Sequence, residues 1–277
     1  MKPAMSNIAW LPEERSRAYG LLAEAGVSGL EIAPALFFHT TDDPFEPDES
    51  VARTAMAEIA DAGLSLVSMQ SLLFGVSGAA LFEGTEARAA LEAAMLRAIK
   101  LAGRFGIPNL VFGSPKQRRV PAGVPAAQAL EEAAGVFRRL GDAAHREGTK
   151  IAIEPSPEVY GTNFLNTLEA ATDFVSRVDH SSIALILDLG AMLMNGPSDT
   201  VLKVDPKIVA SLNHVHVSEP NLAPAPAEAE ALAPVLRMLD AQGFDKAISI
   251  EMRRPEDGLV GVASALGRLK SAMAIAK

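Results

Sequence analysis

The sequence contains no cysteine among its 277 residues. This absence excludes disulfide scaffolds, thiolate zinc sites, iron–sulfur clusters and cysteine nucleophiles. Any metal ion that this protein binds must therefore be held by carboxylate oxygens and imidazole nitrogens.

Long hydrophobic runs and a surplus of positive charge are also missing. The apolar run Ile183–Leu187 stops at Asp188, far short of the roughly 20 residues that span a bilayer. Charged residues follow the first ten residues at once, which is unlike a secretory signal. The net charge is −9, whereas nucleic-acid binding depends on Lys and Arg. We therefore expect a cytoplasmic protein that binds neither a membrane nor a nucleic acid.

What the sequence does contain is a repeated local pattern. An Ala-rich amphipathic stretch ends in glycine, and a short apolar run follows; the glycines are Gly26, Gly63, Gly106, Gly148 and Gly243. Glycine just past a helix end takes the left-handed conformation that closes the helix. Two more apolar runs, Ile183–Leu187 and His214–Val217, lie between the last two repeats, and an opening strand is expected near Ser6–Trp10. The pattern predicts eight strands, each followed by a helical stretch.

This alternation predicts an α/β fold with a parallel sheet covered by helices. The chain length suits a (β/α)8 TIM barrel, typically about 250 residues, so we expect a single domain over residues 1–277. A doubly wound sheet is the alternative, but it needs a Gly-x-Gly turn after an early strand. Neither Ala9–Pro12 nor Ile32–Pro34 contains one. The weakest predicted helix, the sixth, covers Thr200–Leu212 and has Pro206 inside it.

Chemically active side chains end four consecutive predicted strands. They are Glu154, Asp188, His216 and Glu251, on strands five to eight. In such a barrel the active site lies at the carboxyl ends of the strands, and a carboxylate is costly to bury unless it is paired or binds a metal. Three carboxylates and one imidazole suit Mn²⁺ or Mg²⁺, with Co²⁺ or Zn²⁺ as alternatives. We predict one divalent cation, first of all Mn²⁺; the alternative is four unrelated side chains in loops.

Six short motifs carry a family resemblance across nearly the whole chain. They are Gly29–Ile32, Ile151–Pro155, Asn163–Thr167, Leu187–Asp188, His214–Glu219 and Ile248–Glu251. In order and spacing the chain resembles the xylose-isomerase-like TIM-barrel superfamily of sugar (phosphate) isomerases and epimerases, which shares its barrel with the endonuclease IV type of repair enzyme. The resemblance implies that Glu154, Asp188, His216 and Glu251 bind one cation. Because relatives often assemble into dimers or tetramers, it also implies a homo-oligomer.

The resemblance further implies an isomerase or epimerase that acts on a ketose, an aldose or a sugar derivative. Glu154 and Glu251 would transfer protons on opposite faces of the sugar, through an enediolate that the cation stabilises. Three positions depart from the epimerase pattern: Ala191, Leu222 and Tyr160 stand where a His, an Arg and a Glu are usual. These altered substrate-binding positions motivate a second hypothesis. In it the protein is a metal-dependent lyase or dehydratase that uses the same base and acts on a keto sugar or hydroxy acid.

Other side chains at the strand ends are predicted to contact a small sugar-like substrate. Trp10 is expected to supply an aromatic wall for the sugar. Polar contacts to the substrate are expected from Glu31, His39, Gln70, Asn163 and Glu219. Each also has a purely structural interpretation, as packing, as a surface loop or, for Glu31, as a hydrogen bond behind the ligands. His214 is expected to make a hydrogen bond rather than to bind metal. The basic loop Lys116–Arg119 is expected to be solvated or, less favourably, to bind a phosphate.

Three further functions stay open. A repair nuclease on this scaffold usually needs more histidine ligands than the five histidines present here. A binding protein without catalysis would keep the barrel and hold no cation. A glycosidase would use a carboxylate pair about 5–9.5 Å apart and no metal.

Overall fold

The computed structural model describes residues 1–196 and 202–277. Its strands are parallel and close into one barrel in chain order. They are β1 (Lys2–Ser6), β2 (Gly29–Ile32), β3 (Ser65–Met69), β4 (Asn109–Phe112), β5 (Lys150–Ile153), β6 (Ile183–Asp188), β7 (Leu212–Ser218) and β8 (Ala247–Glu251). The predicted (β/α)8 barrel is confirmed, while a single domain over residues 1–277 stays a prediction.

Helices alternate with the strands along the chain. They are α1 (Arg15–Ala25), α2 (Pro34–Phe37), α3 (Glu49–Asp61), α4 (Thr85–Phe105), α5 (Ala126–Arg146), α6 (Leu168–Val178), α7 (Leu189–Asn195), α8 (Pro206–Ser211), α9 (Ala229–Ala241) and α10 (Leu259–Ala276). Gly26 and Gly106 follow α1 and α4 with φ of 75° and 63°. These are the left-handed residues that the repeated pattern predicted.

Two elements differ from the sequence-based prediction. The opening strand lies at Lys2–Ser6 and not at Ser6–Trp10, because Asn7–Ala9 form a 3-10 turn in which the Ser6 side chain accepts from the Ile8 N–H. The sixth helix begins at Pro206, since proline is tolerated in the first turn of a helix and not in its interior. Of the span predicted for that helix, Thr200 and Val201 lie outside the described residues.

Residues 1–67 and 188–277 form one compact unit. In this unit β1 pairs with β2 and with β8, and β7 pairs with β8. The helix α10 packs against α9 and α1. By length and composition alone α10 could cross a membrane, but its buried residues Val262, Ala265, Leu266 and Leu269 recur at helical spacing. That spacing is typical of a helix packed on a core.

Gly29 provides a test of the packing in this unit. A Cβ built at Gly29 would lie 2.6 Å from the Ala4 Cβ and 3.2 Å from Val67 Cγ1. Gly29→Ala is therefore expected to reduce the free energy of unfolding by about 1–3 kcal/mol, measured by urea denaturation. The matched control is Gly20→Ala in α1, where nothing lies within 4 Å and alanine favours the helix. Equal destabilisation by both changes would contradict the prediction.

Residues 68–187 form the second compact unit. There β4 pairs in parallel with β5, and β5 pairs with β6. A chain of edge-to-face aromatic contacts joins the strands to the helices, through Phe112, Phe137, Phe174, Phe164 and Phe82, with ring centroids 4.9–5.8 Å apart. These contacts fix the end of β4, after which the loop Lys116–Arg119 begins.

Candidate metal centre

The carboxyl ends of β6, β7 and β8 bring three predicted ligands together. His216 Nδ1 lies 3.1 Å from Glu251 Oε2 and 3.4 Å from Asp188 Oδ2. His216 is fully buried, and Asp188 and Glu251 are each 8% exposed. The three side chains meet because each stands on an inward position at the same end of a parallel strand.

Asp188 is held through the oxygen that does not face His216. Its Oδ1 accepts from the Ala191 N–H at 2.6 Å, which makes Asp188 the N-cap of α7. The same oxygen accepts from the Ser218 hydroxyl at 3.0 Å, and that hydroxyl accepts from the Gly190 N–H at 2.9 Å. These contacts orient the carboxylate so that Oδ2 faces the imidazole.

Ser218→Ala is expected to reduce the free energy of unfolding by about 1–3 kcal/mol. The change removes a donor from the buried Asp188 Oδ1 and leaves the Gly190 N–H without its acceptor, and unsatisfied buried groups cost this much. Urea denaturation measures it. In the control Ser264→Ala, the lost hydrogen bond lies on the exposed surface of α10, so a change within about 0.5 kcal/mol is expected. Equal losses would contradict the assignment.

The other ring nitrogen of His216 faces Glu31 on β2. His216 Nε2 lies 3.1 Å from Glu31 Oε2, and His214 Nε2 lies 3.2 Å from the same oxygen. His214 Nε2 also lies 2.9 Å from Ser249 Oγ. All four residues are 0% exposed. The expected hydrogen bond of His214 is thus present in the structure.

The buried carboxylate and imidazoles shift each other's ionisation. Burial alone would raise the pKa of Glu31, but His216 and His214 hold that pKa well below its ordinary value. Burial lowers the pKa of His214, against the opposing influence of Glu31. Glu31 is therefore ionised and acts only as an acceptor, and His214 is neutral at neutral pH.

Glu154 follows β5 directly, in the second unit. Its backbone oxygen accepts from Arg118 Nη2 at 2.7 Å, and Gly113 makes room for its carboxylate, since a Cβ there would overlap Glu154 Oε2. Arg118 is fully buried, so the expectation of a solvated loop is wrong at this position. Burial lowers the pKa of Arg118 to about 10 although Glu154 opposes the shift, and the guanidinium lies 6.0 Å from the Phe112 ring centroid.

Three of the four predicted ligands form a group of candidate metal-ligating side chains in the first unit. Asp188, His216 and Glu251 each offer one ligand atom, and these atoms lie within 4.8 Å of one another. The role of Glu154 as the fourth ligand stays a prediction. Around one divalent ion with bonds of about 2.1 Å, neighbouring ligand atoms are about 3.0 Å apart in an octahedron and about 3.4 Å apart in a tetrahedron. The separations at His216 Nδ1 fit such an ion, and the predicted set of three carboxylates with one imidazole fits a hard cation.

The residues predicted to contact substrate lie in diverse surroundings. Trp10 is 3% exposed and meets Tyr19 edge to face, and Gln70 is 8% exposed directly after β3. His39 is exposed, beside Arg15 and Glu58. Their roles toward a substrate stay predictions.

Two of these residues have hydrogen bonds inside the protein. The Asn163 amide accepts from the Val120 N–H and donates to the Val120 oxygen, so it joins two loops of the second unit. Glu219 Oε1 accepts from the Ala227 N–H at 2.8 Å. Their roles toward a substrate also stay predictions.

Sequence reasoning missed Ser218 and Ser249 as parts of this site. A signal for Ser218 existed, because it stands two residues after His216 and therefore on the same face of β7. The same signal marked Ser249, which stands two residues before Glu251 on the same face of β8, but its contact with His214 depends on the strand register.

Comparison with known proteins identifies the family of this sequence. The sequence matches the family described as xylose isomerase-like TIM barrel over residues 20–272. No curated protein matches the sequence.

Several solved structures resemble the whole chain. D-psicose 3-epimerase with D-tagatose from Clostridium cellulolyticum H10 is 15% identical, with a TM-score of 0.75 over 100% of this chain and 98% of its own. The 3-keto-D-glucoside 4-epimerase YcjR from E. coli is 19% identical, with a TM-score of 0.76 over 98% and 99%. The IOLI protein with a binding zinc atom is 16% identical, with a TM-score of 0.69 over 100% and 98%. At these identities the likeness demonstrates a shared fold.

Proposed function

This chain belongs to the xylose isomerase-like TIM barrel family, and we propose that it is a sugar isomerase or epimerase dependent on one divalent cation. The observation that carries the proposal is the meeting of His216 Nδ1 with carboxylate oxygens of Glu251 and Asp188 at 3.1 and 3.4 Å. The similar structures of a sugar 3-epimerase and a sugar 4-epimerase support the substrate class.

Asp188, His216, Glu251 and Glu154 would hold the cation. Their hard donor set favours Mn²⁺, with Mg²⁺, Co²⁺ or Zn²⁺ as alternatives. The similar IOLI protein has a binding zinc atom. The cation, when bound, supplies a positive charge that polarises a substrate carbonyl.

The carboxylates of Glu154 and Glu251 would move the proton. One removes it from the carbon beside the carbonyl to give an enediolate, and a proton returns from the other carboxylate or to the neighbouring carbon. Return on the opposite face epimerises that carbon, whereas return to the neighbouring carbon interconverts aldose and ketose. His216 and Asp188, fixed from behind, keep their ligand atoms in place.

Solvent exchange tests the proposal on a panel of ketoses, aldoses and keto sugars. In D₂O with Mn²⁺, the protein is expected to place deuterium at a carbon beside the carbonyl of one sugar, detected by NMR, with a product of otherwise unchanged mass. Elemental analysis should find one cation per chain. Loss of water from the product would favour the lyase or dehydratase instead. Absence of a bound cation together with absence of exchange would refute the proposal. The cytoplasmic location, the homo-oligomer and the absence of membrane and nucleic-acid partners stay predictions.

A further inference from the structure

We propose that Glu31 is a positioning residue that decides which nitrogen of His216 carries the proton and so presents Nδ1 to the cation. The inference rests on the proposed function, because it takes His216 as a ligand. It replaces the direct contact with substrate that the sequence suggested for Glu31.

The geometry at His216 assigns opposite roles to its two nitrogens. Glu31 Oε2 lies 3.1 Å from His216 Nε2, and both residues are 0% exposed. Glu31 Oε2 lies within hydrogen-bond distance of two imidazole nitrogens, and a carboxylate oxygen with two such neighbours accepts, whereas a neutral imidazole has one N–H and one lone pair. The N–H must therefore stand on Nε2, facing Glu31. The lone pair then stands on Nδ1, the nitrogen 3.1 Å from Glu251 Oε2.

Small residues give Glu31 room to reach across the strands. Across the neighbouring strands His216 pairs with Ser249 on β8, Ser249 pairs with Ala4 on β1, and Ala4 pairs with Gly29 on β2. None of these three side chains is larger than serine. Glu31 stands two residues after Gly29, on the same face of β2, so its long side chain extends over this row of small residues to the imidazole.

His214 holds the carboxylate of Glu31 from a second side. His214 Nε2 lies 3.2 Å from the same Oε2, while its Nδ1 is buried with no hydrogen-bond partner in the described residues. Two imidazole N–H groups on one carboxylate oxygen restrict its position. Metal-binding histidines commonly donate their second N–H to such a carboxylate, which fixes the tautomer and the ring orientation.

A cation among Glu31, His214 and His216 is the competing interpretation, because these three also form a group of candidate ligands within 4.8 Å. Separations of 3.1 and 3.2 Å suit hydrogen bonds as well as neighbouring ligands of an ion. Here, however, a single carboxylate oxygen faces both nitrogens, whereas His216 Nδ1 faces carboxylate oxygens of two residues, Asp188 and Glu251. A proton on each Nε2 accounts for both contacts without an ion.

The test compares Glu31→Leu and Glu31→Gln with the wild-type protein. Zn²⁺ affinity is measured by competition with a chelator, and ¹⁵N-histidine NMR of the Zn²⁺-loaded protein reports which nitrogen of His216 binds. We expect Glu31→Leu to weaken Zn²⁺ binding about 10–100-fold and to shift the Nε2–H proton signal of His216 upfield, because that N–H loses its acceptor. Glu31→Gln keeps an acceptor oxygen and should restore most of the affinity.

A matched control separates positioning from general destabilisation. Glu58 accepts two hydrogen bonds from Arg15 in the same unit, so Glu58→Leu also removes a paired carboxylate. It is expected to leave the Zn²⁺ affinity and the His216 signals unchanged.

Three results would overturn the inference. They are an unchanged Zn²⁺ affinity of Glu31→Leu, binding of Zn²⁺ by the wild-type protein through His216 Nε2, and a second Zn²⁺ ion that the wild-type protein binds and Glu31→Leu does not. If Glu31→Leu does not fold, the wild-type spectrum alone decides between Nδ1 and Nε2. The expected NMR and affinity results combined with no exchange on any sugar would refute the proposed function and leave the role of Glu31 standing.

Discussion

Glu251→Gln is expected to slow solvent-deuterium incorporation by about 100-fold to 10,000-fold, the usual contribution of a general acid or base. Glutamine keeps the shape of the side chain but cannot take a proton from carbon. The change also removes a negative charge 3.1 Å from His216 Nδ1, so cation binding should weaken as well. NMR in D₂O, on a sugar that the wild-type protein exchanges, measures the rate.

A Mn²⁺ titration separates the two roles of Glu251. If the side chain only binds the cation, saturating Mn²⁺ will restore exchange; if it also transfers the proton, the rate will stay low at saturation. The control is Glu256→Gln, an exposed residue in the loop after β8, which should exchange at the wild-type rate. Full activity of Glu251→Gln would exclude the proposed base.

His216→Leu is expected to reduce the free energy of unfolding by about 3–5 kcal/mol. Urea denaturation measures this change, with a chelator present to keep both proteins free of metal ions. The variant leaves the buried Glu31 carboxylate with one donor fewer, and leaving a buried charge without a partner has a cost of this order. For a chain of this size the loss corresponds to a decrease in Tm of roughly 6–20 °C. His145→Leu, an exposed change in α5, is the control and should stay within about 0.5 kcal/mol.

A double variant identifies the physical cause of that loss. Glu31→Leu with His216→Leu removes the imidazole together with the buried carboxylate that would lose its donor, so the double variant should be more stable than His216→Leu alone. A double variant that is less stable than either single variant would indicate lost packing rather than an unpaired carboxylate.

Several site residues could be found from the sequence because one local rule marks them. Glu154, Asp188 and Glu251 each follow an apolar run, and His216 lies within one. Parallel strands bring their carboxyl ends to one edge, so residues far apart in the chain can be assigned to one site without knowledge of the pairing. A different expectation, that the basic loop Lys116–Arg119 is solvated, failed for Arg118, since its burial depends on the Phe112 ring and on the backbone of Glu154.

The sequence by itself determined the closed barrel and the chemical composition of the candidate site. Helix-closing glycines, alternating apolar runs and the absence of cysteine are local properties, and they restrict the fold and the ligand atoms directly. Only the tertiary structure decided how those ligands are held. Glu31 meets His216 across 185 positions of the chain, and Ser218 meets Asp188 across 30. A hydrogen bond forms only within a narrow range of distance and direction, so such contacts depend on strand register and barrel closure. No local sequence pattern encodes either of these.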